Sequence, residues 1–301
     1  MTLLWIPLTI AAAFIQNLRS MLQKHLKDRL GTTGATFVRF GYGFPFALLY
    51  LAGLAAFTDL PVPDLNARFI VIVMIGGLAQ ISGTALLVSL FDKRNFAVGT
   101  TYSKTETVQA AIFGIIFLGE TVSLNATIGI LVSLVGVIAI SVARNPVGLR
   151  AIATSWTERP ALIGLASGAS FGIAAVSYRG ASLSLGGDGF IMQASVTLAF
   201  VLVFQTIVMA AYMAVREPAE LRACLAAWRV AVWVGLSGAV ASIGWFTAMT
   251  IQQAALVRAL GQIELVFTIS ASTLIFRERI VRMELIGIAL VVAGIVILIL
   301  R

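Results

Sequence analysis

Apolar residues fill this chain in runs of about 20, the length that carries an α-helix across a bilayer, and short polar connectors separate the runs. Apolar and polar positions do not alternate along them, so they predict helices. Strands with open edges facing lipid are excluded, because nothing there satisfies the backbone. Taken in order, the spans cover about Leu3–Leu22, Ala35–Phe57, Phe69–Phe91, Phe96–Leu118 and Leu124–Val142. Five more follow at about Ala161–Tyr178, Phe190–Val215, Val230–Thr250, Ala254–Phe276 and Met283–Leu300. The predicted fold is an all-α membrane protein of ten transmembrane helices.

One of these stretches occurs twice. Phe96–Ile140 laid over Ala254–Leu298 without a gap pairs Glu106 with Glu264 and Glu120 with Glu278. The same register pairs Ile128, Gly129 and Ile130 with Ile286, Gly287 and Ile288, and Gly136 with Gly294. A repeat at about half the chain length means two homologous halves, and in transporters such halves enclose the substrate site. The first five-helix repeat is residues 1–143, a linker is 144–160 and the second repeat is 161–301. Each half has an odd number of spans, so the two repeats are inverted.

The linker holds Pro146, Gly148 and Pro160, with Leu149, Ile152 and Trp156 at helical spacing among arginines, which suits an interfacial helix. Arg216–Arg229 reads the same way, with Pro218 in a first helical turn and Leu221, Leu225 and Trp228 on one face. Gly164, Gly168 and Gly172 form a stripe of small residues, the pattern of a helix-packing seam in lipid.

Composition agrees. The chain of 301 residues is 59% hydrophobic and 11% charged, with a mean hydropathy of +1.00, more apolar surface than a soluble domain can hide. The net charge of +8 is not a nucleic-acid signal, because the basic residues sit singly or in small groups in alternate loops. Lys24, Lys27 and Arg29, Lys93 and Arg94, Arg144, Arg150 and Arg159, Arg216, Arg222 and Arg229, and Arg277, Arg279 and Arg282 share one side, which the positive-inside rule makes cytoplasmic. Both termini are then external. The other side offers Arg68, Arg179 and Arg301. The N-terminus lacks the basic region of a cleaved signal, so Leu3–Leu22 reads as a span that stays. One cysteine, Cys224, and one histidine, His25, exclude an internal disulfide, a cysteine-rich metal site and a histidine-built zinc or haem site, so no metal or cofactor is expected. The chain has no GxxxxGK[ST] loop, which argues against direct ATP drive.

Lys104, Glu106, Arg258 and Glu264 are charges predicted within spans. Each costs about 2.5–3.5 kcal/mol at mid-bilayer on insertion scales, so such groups face the bundle interior and pair. Lys104 and Glu106 are two residues apart and point to different sides of one helix. Under the repeat register Thr100 matches Arg258 and Lys104 matches Gln262. Three readings of the glutamates stand open: a lock between helices, for example Glu264 with Lys104; coordination of a substrate ammonium or polar group; and a proton-coupling carboxyl whose pKa desolvation raises. Lys104 and Arg258 either bind a substrate carboxylate or neutralise the glutamates. Gln262 joins the candidate set by its register with Lys104, and Gln80 by the polar face it shares with Thr84 one turn on. Tyr102, Tyr178, Trp245 and Phe246 are candidates to line a pocket, against the commoner role of such aromatics in packing. Glu120 and Glu278, at turns near the bilayer surface, read as caps of the following helices.

These features resemble the drug/metabolite transporter superfamily, in particular the ten-helix type with two EamA domains. The resemblance spans the chain. It is carried by Phe117-Leu118-Gly119-Glu120, then Ile128-Gly129 and Gly136-Val137, and by Glu278, then Ile286-Gly287-Ile288 and Gly294-Ile295. Arg39 falls where that family often has an arginine early in its second helix, and Glu264 where it typically has a glutamate–proline pair. Here Thr107 follows Glu106 and Leu265 follows Glu264, so no proline breaks the helix at either place. The first helix offers Gln16 and Asn17 where the small four-helix multidrug members carry a glutamate, which weakens a proton-driven cation-efflux reading. Ten-helix members are usually drawn with cytoplasmic termini; the charges here favour the opposite.

The resemblance implies a metabolite exporter or exchanger with a central cavity reached alternately from each side. The expected function is therefore secondary transport of small polar or amphipathic metabolites such as amino acids across a bacterial cytoplasmic membrane, with a possible coupling proton or ion. A lipid-linked substrate flippase is the related alternative. An intramembrane enzyme would need a convergent nucleophile–base or two-acid pair, and a scaffold would leave the charges only a role in assembly. Two fused halves make a monomer sufficient without excluding a homodimer.

Overall fold

The computed structural model describes residues 3–27, 30–90, 96–143, 156–187, 189–276 and 280–300. Every regular element among them is a helix. The first repeat contributes α1 (Trp5–Lys27), α2 (Thr32–Gly41), α3 (Phe44–Phe57), α4 (Ala67–Ser89), α5 (Phe96–Ser103), α6 (Glu106–Leu118) and α7 (Leu124–Ala143). The second contributes α8 (Arg159–Ser184), α9 (Phe190–Arg216), α10 (Pro218–Ala226), α11 (Trp228–Ile251), α12 (Ala254–Gly261), α13 (Ile263–Phe276) and α14 (Arg282–Ile299). The Asp92–Asn95 turn, the expected interfacial helix around Leu149 and Ile152, and the Glu278 cap lie outside the described residues.

Seven segments among the described residues are long and apolar enough to cross a membrane: α2 with α3, α4, α7, α8, α9, α11 and α14. This differs from the ten predicted spans for two physical reasons. Helix α1 is long enough, but Gln16, Asn17, Arg19 and Gln23 crowd its later turns. The spans predicted at 96–118 and 254–276 are each divided into two short helices. A further break interrupts the span predicted at 35–57, at Tyr42–Gly43, where Gly43 N donates to Phe40 O at 3.0 Å. Pro45 in the first turn of α3 explains where that helix restarts, because its missing N–H belongs there at no cost.

The helices gather into two compact units, one of Met1–Leu78 with Ser177–Gln252 and one of Ala79–Val176 with Gln253–Arg301. Both units draw on both halves of the chain. In the first, α11 lies against α1 and the α2–α3 corner. A Cβ on Gly244 would stand 2.9 Å from the Ala12 Cβ, and one on Gly235 would stand 2.6 Å from the Tyr42 Cβ. Phe69 meets Phe200 edge to face at 5.4 Å. Tyr178 stacks on Phe246 at 4.6 Å and donates its hydroxyl to Gly76 O. These two aromatics are therefore buried packing residues. Arg179, expected as a charge on the external side, lies within α8 and serves as a helix cap: Nη1 donates at 2.8 Å to Met249 O and to Gln252 O at the end of α11. Short α10 opens on Pro218 as expected and buries Cys224 against α2. The Tyr42 hydroxyl donates to Cys224 O at 3.1 Å, and burial together with the Glu220 carboxylate pushes the Cys224 thiol up to about 11.

In the second unit α7 and α14 run antiparallel in contact along two pairs of glycines. A Cβ on Gly129 would lie 2.7 Å from Gly294 O, one on Gly136 2.6 Å from Gly287 O, and the reverse pairs give 2.6 and 2.7 Å. Without side chains at these points the backbones touch, which is how helices associate where lipid removes the hydrophobic drive. Gly168 and Gly172 set α8 against the α5–α6 region, where added Cβ atoms would meet Ser103 O at 2.9 Å and Ala110 N at 3.2 Å; Gly164 faces Gly99. Between α6 and α7, Gly119 takes a left-handed φ of 66° and its N–H donates back to Ile115 O at 3.2 Å, an αL cap, with Glu120 N donating to Gly114 O at 3.2 Å. The Glu120 carboxylate folds over Gly114. The cap of α7 is instead Ser123, whose Oγ accepts from Ala126 N at 3.2 Å, so the expected capping role of Glu120 is corrected. A serine hydroxyl reaches the first-turn N–H groups without the longer glutamate arm.

Gly136→Leu should lower the thermal unfolding midpoint in detergent, because overpacking of this kind costs about 1–3 kcal/mol; an unchanged midpoint would show that the seam tolerates separation. Cys224 should resist maleimide at neutral pH, where a raised pKa leaves almost no thiolate. Gly34→Leu, whose side chain would press on Cys224 and Glu220, should speed labelling several-fold.

Candidate functional site

The two divided helices of the second unit carry the charged residues. Helix α5 ends at Ser103, and the chain tightens into i−3 hydrogen bonds: Lys104 N to Thr101 O and Thr105 N to Tyr102 O, both 3.1 Å. Hydroxyls reinforce the turn, Ser103 Oγ donating to Thr100 O at 2.8 Å and Thr105 Oγ1 to Tyr102 O, which also accepts from Thr105 N, at 2.7 Å. Helix α6 then starts on Glu106. The second repeat does the same at the equivalent position. Helix α12 ends at Gly261, Gln262 N donates to Ala259 O at 3.2 Å, Leu265 N donates to Gln262 O at 3.0 Å, and α13 starts on Ile263. No proline stands at either place, and both helices break nonetheless.

The charges fit the breaks. A helix leaves a partial negative charge on its last carbonyls and a partial positive one on its first N–H groups. Arg258 lies in the last turn of α12 and Lys104 just past the end of α5, while Glu106 and Glu264 lie in the first turns of α6 and α13. Each glutamate then pairs with the cation of the other repeat. Arg258 Nη2 donates to Glu106 Oε1 at 2.7 Å, and Lys104 Nζ stands 3.7 Å from Glu264 Oε1. Two acids and two bases make the cluster neutral.

The pairs are unequal. The first is a charge-assisted hydrogen bond with side chains 23% and 12% exposed. The second is beyond hydrogen-bonding distance, with side chains 29% and 24% exposed. Gln262 is only 4% exposed. Its Nε2 reaches Arg258 O at 3.5 Å, and its Oε1 is buried with no donor among the described residues. Gln109, absent from the sequence reading, belongs beside them: it lies three residues after Glu106, on the same face of α6. Its Nε2 donates to Thr105 Oγ1 at 2.8 Å and its Oε1 is likewise buried without a donor among the described residues. The available signal was that spacing.

The other candidates are elsewhere in the fold. Tyr102 is on α5, half-buried, two residues before Lys104. Gln80 is on α4 in the second unit, where its carbonyl accepts from Thr84 Oγ1 at 2.8 Å. Trp245 belongs to the first unit and donates its indole N–H to Gln16 Oε1 at 3.1 Å. Arg39, also in the first unit, lies over the Phe40 ring at 5.3 Å. A cavity of about 180 Å³ in the first unit, lined by Pro61, Pro63, Met192 and Gln193, contains none of the predicted residues. Among the described residues no group of three or more His, Cys, Asp or Glu is arranged to hold a metal ion.

Residues 3–142 and residues 159–300 each match the EamA-like transporter family. The chain belongs to that family. As an EamA-like protein it is a multi-pass membrane transporter of the drug/metabolite type. A solved protein crystal structure superposes with a TM-score of 0.74 at 16% identity, over 98% of this chain and 96% of its own, and so shares the fold. No curated protein matches the chain.

Both pairs are part-buried, and losing a partner costs more as a pair is more buried and better bonded, from about 0–1 kcal/mol for an exposed pair to about 3–5 kcal/mol for a buried one. Glu106→Gln should therefore lower the unfolding midpoint of this EamA-like protein more than Lys104→Met does. Equal losses would mean that both pairs are equally locked.

Proposed function

We propose that this EamA-like protein is a secondary transporter, an exporter or exchanger of small polar or amphipathic metabolites such as amino acids, working by alternating access in a bacterial cytoplasmic membrane. The observation that carries the reading is the neutral cluster of Lys104, Glu106, Arg258 and Glu264 at two equivalent helix breaks. Carriers use such breaks because unwound backbone and half-helix ends present ready partners for polar groups. Arg258 and Glu106 hold the breaks together, and Lys104, Glu264 and Gln262 are the groups that meet substrate or a coupling proton. Tyr102, Gln80 and Trp245 are assigned to substrate passage on polarity alone.

The proposed arrangement is ten spans in two inverted repeats, residues 1–143 and 161–301, joined by the linker at 144–160. Adding α1 and the two divided helices to the seven apolar segments brings the number to ten. The α7–α14 seam supports inversion. Gly129 matches Gly287 in the repeat register yet faces Gly294, so equivalent helices run antiparallel. The charge bias of the loops supports external termini.

Counterflow in proteoliposomes tests the reading. Purified protein, with unlabelled amino acids, nucleobases or amines inside and the matching labelled solute outside, should accumulate one chemical class, and Glu264→Gln should reduce that accumulation while inserting normally. No accumulation of any soluble solute by folded protein would sink the reading and put a flippase of lipid-linked substrates in its place.

A further inference from the structure

We infer that the corner running from the end of α9 through α10 to the start of α11 is a docking surface for the headgroup of an anionic phospholipid, held by Arg216, Arg222 and Arg229. Such a site needs only the membrane placement of the chain and does not depend on transport.

The corner sorts its charges by direction. Its acids turn inward to the first turn of α2, where the helix end is partly positive: Thr33 Oγ1 donates to Glu217 Oε1 at 3.4 Å, and the Glu220 carboxylate lies over Gly31 and Gly34. Arg216, Arg222 and Arg229 are exposed, and none forms an ion pair with a carboxylate among the described residues. Arg222 Nε donates to Pro218 O at 3.3 Å, which steadies the guanidinium without neutralising it. Each arginine also shares a helix face with a large apolar side chain. Tyr212 stands four residues before Arg216, Leu225 three after Arg222 and Trp233 four after Arg229, and all three are more than half exposed. Helix α9 ends at this corner and α11 begins there, so both spans put the arginine at the surface and the aromatic ring about 6 Å deeper. That order keeps a cation at headgroup level above an amphipathic ring at the interface. The Arg229 guanidinium stands 5.7 Å from the centre of the Trp228 ring, itself exposed beside it. Cations above and apolar side chains below match a phosphate joined to acyl chains, whereas a soluble anion would leave the apolar layer unused.

The experiment places the full-length protein in phosphatidylcholine nanodiscs containing brominated phosphatidylglycerol or brominated phosphatidylcholine as a minor lipid, and reads quenching of tryptophan fluorescence. Phosphatidylglycerol should be preferred about fivefold, the factor expected of one arginine near a charged lipid surface. Salt at about 1 M, where the screening length is about 3 Å, should sharply reduce that preference. Trp228→Phe with Trp233→Phe should remove the preferential part of the signal, which places it at this corner. Arg216→Gln, Arg222→Gln and Arg229→Gln together should abolish the preference, and lysine at the same three positions should keep it. If the triple glutamine variant does not fold, Arg222→Gln and Arg229→Gln are read singly, each lowering the preference. Equal quenching by the two lipids overturns the assignment, as does a preference that survives loss of the three arginines, since it then belongs to other basic loops. Reversal of the quenching by glycerol phosphate in solution overturns it in favour of a soluble anion. A changed oligomeric state of the triple variant by light scattering, with no lipid preference in the parent, overturns it in favour of a second copy of the chain.

Discussion

A charge placed among lipid-solvated helices must have its counter-charge within reach, and this protein meets that demand at two helix breaks at once. Lys104 with Glu264 and Arg258 with Glu106 tie the divided helix of each repeat to that of the other. A continuous helix would bury its own end dipoles in hydrogen bonds. Breaking it at residues 104–105 and at residue 262 exposes a negative end and a positive end in mid-span, and the cations and anions lie on the matching ends. The ion pairs and the breaks therefore stabilise one another. Remove the charges and the exposed half-helix ends lose their partners; close the breaks and the charges lose theirs.

Pairing over such short distances requires helices that can come close, and glycine supplies the approach. The α7–α14 contact is nearly backbone on backbone at Gly129, Gly136, Gly287 and Gly294. The α8 stripe brings Gly168 and Gly172 onto the segment that carries Lys104 and Glu106. In water such seams would be filled by leucine, because burial of side chains drives association. In lipid the gain comes from contact between surfaces that fit, and each missing side chain is what lets the neighbouring break sit where its carboxylate can reach across.

Much of this was legible beforehand, for physical reasons that differ by residue. The duplicated Glu106 and Glu264 stood out because an acid in an apolar run is costly and its repetition is not accidental. The helical class followed from run length. The breaks were hidden because the expected cause, proline, is absent; local hydroxyl bonds from Ser103 and Thr105 and the ion pairs do the work instead, and neither is visible as a pattern. Arg179 was legible only as a charge near the end of a span, because a cap made by a residue of one helix on the end of another depends on tertiary approach. Ser123 was overlooked in favour of Glu120 for the reverse reason: the charge was conspicuous and the short hydroxyl was geometrically right. Gln109 carried no charge and drew no notice, although its spacing from Glu106 was available.

The inequality of the two ion pairs follows from how the repeats have diverged. The glutamates occupy equivalent positions, but the cations do not: Lys104 matches Gln262, and Arg258 matches Thr100. A perfectly duplicated cluster would place two equal pairs about its centre, and neither would yield before the other. Here the second repeat supplies its cation four residues earlier, on the last turn of α12, where a long guanidinium reaches Glu106 directly. The equivalent position is held by a neutral amide, Gln262, whose buried Oε1 has no donor among the described residues. The first repeat keeps its cation just past the end of α5, on a flexible ammonium stem that stops short of Glu264. Divergence at these positions turns a symmetric lock into one short, hydrogen-bonded contact and one longer contact.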